Sequence, residues 1–512
     1  MTNQECLGYG KLFVWNQGVA SRGKMMGKTF SAPGDASDAD RGEERSPPSG
    51  AQDCVLRLPT EALVGNQTPV HVAISGPLLD PLYQSLDETS RRYLFHFATN
   101  VCSDLVIAAS DANPFRRLVP LCRDYPILRH AINAAGALNV SCLHRRATNS
   151  ESELSCGFQT LQTPRQTDAS CRALVDALTS KQKALVLLRQ ALEDIDHIDV
   201  DLIVTIVHLL IIFELMSPGG DEWRAHVQGS LRLISYLQTL EPRQVSPAAL
   251  IRDTITSDCL TWYILGSTLM NTTTLSDPFL FPGDITASLT RAEITSYISL
   301  PTVLLHNLFK ACELSNLVSA GAMLNSDTQQ TDYTPILAQA ETLLQTTKSF
   351  NAHAWALSVE GAENANAPLT LSRMHTALAH QNAVLIYITR SVDTIASPEI
   401  LLGEGEDTER LVTNIITHLS LVGSADPIFV ATTWPTFIAG AETDNPVYRR
   451  WALERLSEFW NLMPWGYVRT AMEVMRTTWR LRDQGAANGQ GEPGRTSWIQ
   501  QLRGLERYWL IA

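Results

Sequence analysis

The chain has 512 residues, of which 45% are hydrophobic and 18% charged, a balance that excludes disorder of the whole, since disorder needs low hydrophobicity and dense charge. Forty Lys and Arg against 53 Asp and Glu leave a net charge of −13, so most of the surface repels a polyphosphate and any DNA contact must come from a local patch. Nine cysteines, odd in number and without a CxxC pair, exclude a disulfide framework and a self-contained zinc site.

Met1 to Gly18 shows no cationic start followed by an apolar stretch, so no secretory signal is legible and the cell interior is the expected compartment. Ser31 to Asp53 (SAPGDASDADRGEERSPPSGAQD) lacks any large apolar side chain to offset the entropy of ordering, which predicts a disordered linker. Helical periodicity begins at Asp87 to Leu105. In Arg123 to Leu143, Asp124 is placed to cap, Pro126 suits the first turn, and Ile127, Leu128, Ala131, Ile132, Ala135 and Leu138 make one apolar stripe. Polar residues and glycines predict a loop at Arg145 to Ser170, ahead of a helix at Leu174 to Leu192.

Val200 to Met216 (VDLIVTIVHLLIIFELM) is the most apolar stretch. As a helix it reaches only about 25 Å against a hydrocarbon core of about 30 Å. It also carries Asp201, His208 and Glu214, which predicts a buried core helix and not a membrane span. Further helices are predicted at Arg224 to Leu237, Ile251 to Met270, Leu300 to Val318, Pro335 to Thr347, Leu369 to Val392 and Leu411 to Val422, with loops at Val359 to Ala367 and Gly403 to Glu409. In Val447 to Met463 the residues Val447, Trp451, Leu453, Leu456, Phe459, Trp460 and Met463 recur at three and four residue steps. There Arg449, Arg450, Glu454, Arg455 and Glu458 form the polar face, and Pro464 ends the helix. Tyr467 to Arg480 follows, then a glycine-rich loop at Gln484 to Arg495. The length is compatible with about three domains or with one large helical unit. The expected fold class is all-α, a large multi-helix domain preceded by a short disordered N-terminal segment.

The candidate chemistry is thin. Gly489, Gly491 and Gly494 satisfy GxGxxG, but they follow a helical, Arg-containing segment instead of a strand, and Pro493 sits among them, which indicates a loop. Asp194, Asp196, His197, Asp199 and Asp201 make the densest group of hard ligands, yet acidic residues ahead of an apolar helix are what its positive N-terminal end favours. His375 and His380 stand five apart, about 140° around a helix, so they do not grip one ion. Ser21 and Lys24 form an SxxK without partner motifs, and neither HExxH nor the DDxxD of prenyl-diphosphate enzymes occurs. Glu214, Trp223 and His226 flank a turn with Pro218 and Gly219, where a polar pair can tie two helices together; packing is the expected role, as it is for His208. No catalytic, cofactor-binding or metal-ligating residue is nominated, and an enzyme is not expected.

Several strings together resemble the fungal-specific transcription factor family of binuclear zinc cluster regulators, in particular its acriflavine-sensitivity-control group. Arg91 to Leu143, with Asn113, Pro114, Phe115 and Arg116, resembles the start of that family's helical regulatory domain. Leu209 to Leu233 resembles its helix-turn-helix with Glu214, Trp223, His226 and Gly229. Trp434, Pro435, Phe437, Ile438, Gly440, Glu442 and Arg449 resemble a C-terminal segment, followed by a Trp498 to Ile511 ending. Cys6, Gly8, Tyr9, Gly10 and Trp15, then Ala20 to Met25, resemble what trails the family's six-cysteine zinc cluster, with Cys6 as its last ligand.

That resemblance implies a remnant at residues 1–30, a disordered linker at 31–60 and the helical regulatory domain at 61–512. It implies a nuclear transcription regulator of a metabolic or secondary-metabolite gene set, working with the transcription machinery or co-regulators, without a membrane role and with homodimerisation possible. One thiolate cannot hold two zinc ions, so DNA is an expected partner only if a cluster precedes Met1. The alternative is a DNA-blind helical scaffold or co-regulator that acts through protein partners.

Overall fold

The computed structural model describes residues 85–512, apart from 108–112, 154–163, 218–219, 241–246, 271–284, 294–295, 325–331, 360–366, 404, 488–496 and 506. The expected zinc-cluster remnant with Cys6, the SxxK pair, the linker, Pro218, Gly219 and the GxGxxG glycines lie outside the described residues. Among the described residues the secondary structure is helical, with one isolated antiparallel bridge between Val106 and Ser296.

Helix α1 (Glu88–His96) starts where the Asp87 carboxylate accepts the Ser90 N–H at 2.8 Å. It continues through a π turn (Phe97–Val101) into Cys102–Asp104, so the predicted helix at Asp87 to Leu105 is present with a bulge in it. Helix α2 (Pro126–Glu153) has Pro126 in its first turn as expected. The capping residue is Tyr125 and not Asp124, because the Tyr125 carbonyl takes the first helical N–H, from Arg129, at 3.1 Å. Helix α3 (Pro164–Glu193) packs on α2, and both run into the segment predicted as a loop at Arg145 to Ser170. Helix ends beyond the core carry no apolar stripe, so periodicity cannot tell them from a loop. Gly136 lets α2 approach α1: a Cβ there would lie 2.5 Å from the Tyr93 carbonyl oxygen.

Helix α4 (Val200–Met216) matches its predicted limits, and every side chain but Glu214 is buried. No helix among the described residues is long and apolar enough to cross a membrane. Next come α5 (Trp223–Thr239), α6 (Arg252–Ser267), α7 (Ile285–Ala292), α8 (Thr302–Leu324), α9 (Thr334–Lys348) and α10 (Ala352–Ser358). The C-terminal half holds α11 (Pro368–Ser391), α12 (Pro398–Leu402), α13 (Thr408–Leu419), α14 (Thr433–Glu442), α15 (Pro446–Leu462), α16 (Gly466–Ala487) and α17 (Trp498–Arg503). Helices α7, α10, α12, α14 and α17 were not predicted from periodicity. Most are under two or three turns, and α14 is buried at all ten positions, which erases the polar half of the pattern.

Two helices organise the packing. Helix α4 lies against α2, α5, α6 and α16, while α11, buried continuously from Ala379 to Thr389, lies against α8, α9, α10, α13 and α14. One apolar cluster runs from Leu86 through both to Ala512. The polar face predicted for α15 needs one correction. Arg455 is buried, with its guanidinium 4.5 Å from the Phe429 ring centroid and bonded to the Val422 carbonyl at 3.0 Å and Thr432 Oγ1 at 3.1 Å. Burial lowers its pKa to about 10. A planar cation stacks where a carboxylate would not, which is why charge alone misassigned it.

Candidate functional site

The acidic string before α4 is dispersed and not gathered. Asp199 caps α4, its side chain accepting the Asp201 N–H; Asp201 pairs with Arg252 at 2.6 Å; Asp194 meets His197 at 2.7 Å; and Asp196 accepts the Tyr236 hydroxyl at 2.7 Å. Among the described residues no three His, Cys, Asp or Glu side chains converge as a metal site would require. His375 and His380 also separate: His375 faces His418 of α13 with Nδ1 atoms 3.2 Å apart, while His380 bonds the Ala431 carbonyl and stacks on Trp434.

At the α4–α5 turn the structure supplies a partner that spacing could not show. Lys181 of α3 meets the Glu214 carboxylate at 2.5 Å, with its ammonium 4.7 Å from the Phe213 ring centroid. His226 stands farther off, 3.8 Å from the same carboxylate. Burial, with help from Lys181, pushes the His226 imidazole down to about 4, so at neutral pH it is an uncharged neighbour and Lys181 is the counter-ion. Burial likewise raises the Glu214 carboxyl, against which Lys181 works.

Trp223 and Arg224 then hold the C-terminal segment. The Trp223 indole N–H donates to the Tyr508 carbonyl at 3.4 Å, and the Arg224 guanidinium lies 3.7 Å from the Tyr508 ring centroid. The recess beside them, lined by Glu214, Gly220, Trp223, Tyr467, Thr470 and Tyr508, measures about 20 Å³, which is room for one water and not for an effector.

On the other flank of the same segment an open groove of about 610 Å³ separates α15 and α16 from Arg507 and Trp509. This volume lies in the range of small-molecule sites. Arg449 is committed to the wall: it donates to Asp444 Oδ1 at 2.6 Å and to the Thr443 carbonyl at 3.0 Å, and its guanidinium lies 5.2 Å from the Trp479 ring centroid. Trp479 is fixed in turn by its N–H to the Gly440 carbonyl at 2.8 Å. Arg476, Arg480 and Arg507 line the groove from exposed positions. Sequence reading did not single out this basic and aromatic set, because Arg449, Trp479 and Trp509 come from three separate segments.

The C-terminal strings are joined physically. Glu442 of α14 accepts the Trp498 indole N–H at 2.9 Å and the Arg390 guanidinium at 2.5 Å, and the Phe437 and Trp498 rings meet edge-on at 6.0 Å. Arg503 then bonds Ser315 Oγ at 2.6 Å and the Tyr387 hydroxyl at 3.1 Å, anchoring α17 to α8 and α11.

Comparison with known proteins agrees with this architecture. The fungal specific transcription factor domain matches residues 92–511. The chain is 34% identical over 451 residues to the acriflavine sensitivity control protein acr-2 of Neurospora crassa, covering 86% of this chain and 70% of that protein. No solved structure matches. The chain belongs to the fungal-specific transcription factor family, whose members are regulators and not enzymes, and it is a transcription regulator.

Proposed function

We propose that this regulator works in the nucleus on a metabolic or secondary-metabolite gene set, with its helical body acting as an effector-responsive domain that signals to the transcription machinery or a co-regulator. The observation that carries the reading is the family domain running through nearly all of the described body, from residue 92 to 511. Residues 1–30 are assigned as a zinc-cluster remnant, 31–60 as a linker and 61–512 as the regulatory domain. DNA contact belongs to a zinc cluster of the kind whose last ligand Cys6 resembles, because a chain of net charge −13 cannot neutralise many phosphates.

Mechanistically, an effector shifts the balance between two forms only by binding one of them better. The C-terminal segment is suited to report that difference, since Trp509 lines the open groove while Tyr508, one residue away, is held by Trp223 and Arg224 at the α4–α5 turn. The same acidic balance favours a second reading, a co-regulator that reaches chromatin only through protein partners.

Transcript profiling of a deletion strain, together with chromatin occupancy of the tagged chain, tests both. A cytosolic tag and an unchanged transcript profile would remove the nuclear regulatory role. Occupancy that vanishes when a DNA-binding partner is deleted would favour the second reading over the first.

A further inference from the structure

We propose that the groove between α15, α16 and the C-terminal segment binds a small organic anion carrying a flat aromatic body. The proposal deepens the effector reading and rests on it for regulatory meaning, although binding itself does not depend on that reading.

Charge is the first argument. Arg476 and Arg480 stand one turn apart on α16, which places them as neighbours on one face, and Arg507 approaches from the C-terminal segment. All three are exposed, and among the described residues none has a carboxylate within ion-pair distance; Arg480 donates only to Thr477 Oγ1, at 2.9 Å. Two carboxylates also line the groove. Asp483 lies 3.9 Å from Arg449, and Glu473 precedes Arg476 by three residues on α16. With Arg449 included, four guanidinium groups face two carboxylates, a local excess of positive charge on a chain of net charge −13. Guanidinium forks of this kind match the oxygen pairs of carboxylates and phosphates.

Shape is the second argument. The indole of Trp479 is pinned by its bond to the Gly440 carbonyl, and Trp509 and Val474 supply further apolar wall. A concave space of about 610 Å³ with aromatic sides and a few converging polar groups has the make-up of a small-molecule site. Nucleic acid fits poorly, because three exposed cations release few counter-ions and the chain as a whole carries a net charge of −13.

The test uses the purified full chain and four probes: 1-naphthyl phosphate, 1-naphthylmethylammonium, inorganic phosphate and an Asp/Glu-rich peptide. Binding is read by quenching of tryptophan fluorescence and by the shift in Tm. 1-Naphthyl phosphate is expected to bind saturably and at least ten-fold tighter than inorganic phosphate or the aromatic cation. The R476Q/R480Q double variant, altered only at exposed positions, should lose ten-fold or more in affinity with an unchanged circular dichroism spectrum. Equal binding of anion and cation, affinity unchanged in the variant, tighter binding of the acidic peptide, or no saturable binding would each overturn the site. If the anion binds as expected but the variant's reporter output equals that of the parent at every ligand concentration, the site stands and the effector reading falls.

Discussion

The Nε2 of His208 lies 3.0 Å from the Asp258 carboxylate in the middle of the core, where neither side chain reaches solvent. Phe115 and Trp262 both stack on the imidazole, at centroid distances of 5.5 and 4.9 Å. Desolvation pushes the Asp258 carboxyl up, and His208 opposes it. His208 Nδ1 and Asp258 Oδ1 have no partner among the described residues, so each of these two side chains depends on the other for its hydrogen bond. Removing one member strands the other: Asp258→Ala is expected to lower stability by about 1–3 kcal/mol, the cost of a buried polar group left without its partner. Replacing both, as H208F/D258L, should be milder than D258A, because two apolar groups leave nothing unpaired. Urea unfolding at constant slope measures the cycle, and a D258A loss under about 1 kcal/mol would show that the pair is not needed.

Two glycines on helices should respond with opposite sign. In Gly136→Ala the new methyl meets the Tyr93 backbone oxygen at 2.5 Å, and backbone cannot swing aside, so a loss of about 1–3 kcal/mol is expected. Gly229 on α5 has nothing within 4 Å of the same position, so Gly229→Ala should gain up to about 1 kcal/mol from helix propensity. Thermal melts of the two variants side by side are enough, and equal shifts would contradict the packing described for α1 and α2.

Stability against pH should show two opposed contributions. Burial raises the Asp104 carboxyl to about 7, with Trp465 opposing, and raises the Asp393 carboxyl to about 7, with Arg390 opposing. Above an unfolded value near 3.8 the denatured chain loses those protons first, so each group makes stability fall as pH rises toward 7, by up to roughly 1.4 kcal/mol per pH unit. Burial holds His226 and His380 down at about 4, so the denatured chain takes up their protons first and stability falls as pH drops from 6.5 toward 4. Between pH 4 and 6.5 the two pairs oppose each other. Asp104→Asn should therefore be more stable than the parent at pH 8 and no more stable near pH 4. His226→Gln should improve relative to the parent on going from pH 7.5 to pH 5. A Tm difference that stays flat with pH in both variants would refute the assignment.

The Glu442 carboxylate joins α11, α14 and α17 through Arg390 and Trp498. Trp498→Phe keeps the ring contact with Phe437 and removes one N–H donor, an expected loss of about 1.5–3 kcal/mol for a bond to a charged acceptor. The effect should concentrate at the C-terminus, so limited proteolysis is expected to cut after α17 sooner in the variant. Faster cutting at α9 or α13 instead would mean that the bond supports the whole body and not the docking of this segment.

Helix existence was legible in segments of three turns or more that kept one wet face or, like α4, ran apolar throughout behind a capping residue. Val200 to Met216, Arg224 to Leu237 and Leu369 to Val392 are found within one or two residues of their predicted limits. Where neither signal was present, the reading failed. The ends of α2 and α3 are polar all round, α14 is buried all round, and Arg455 is a cation that stacks instead of facing water. The candidate site was half legible: Glu214, Trp223 and His226 stood out at their turn, but Lys181 lies 33 residues away from Glu214 and carries no mark of its role.

By itself the order of amino acids determined the helical class, the core character of α4 and the local strings that resemble a family of regulators, because periodicity, capping and turn chemistry act over a few residues at a time. Which charge meets which carboxylate, which tryptophan closes the C-terminal segment and where an open basic groove remains were decided only when distant helices packed. Those outcomes depend on the volume and orientation of side chains brought together from separate helices, quantities that no window along the chain contains.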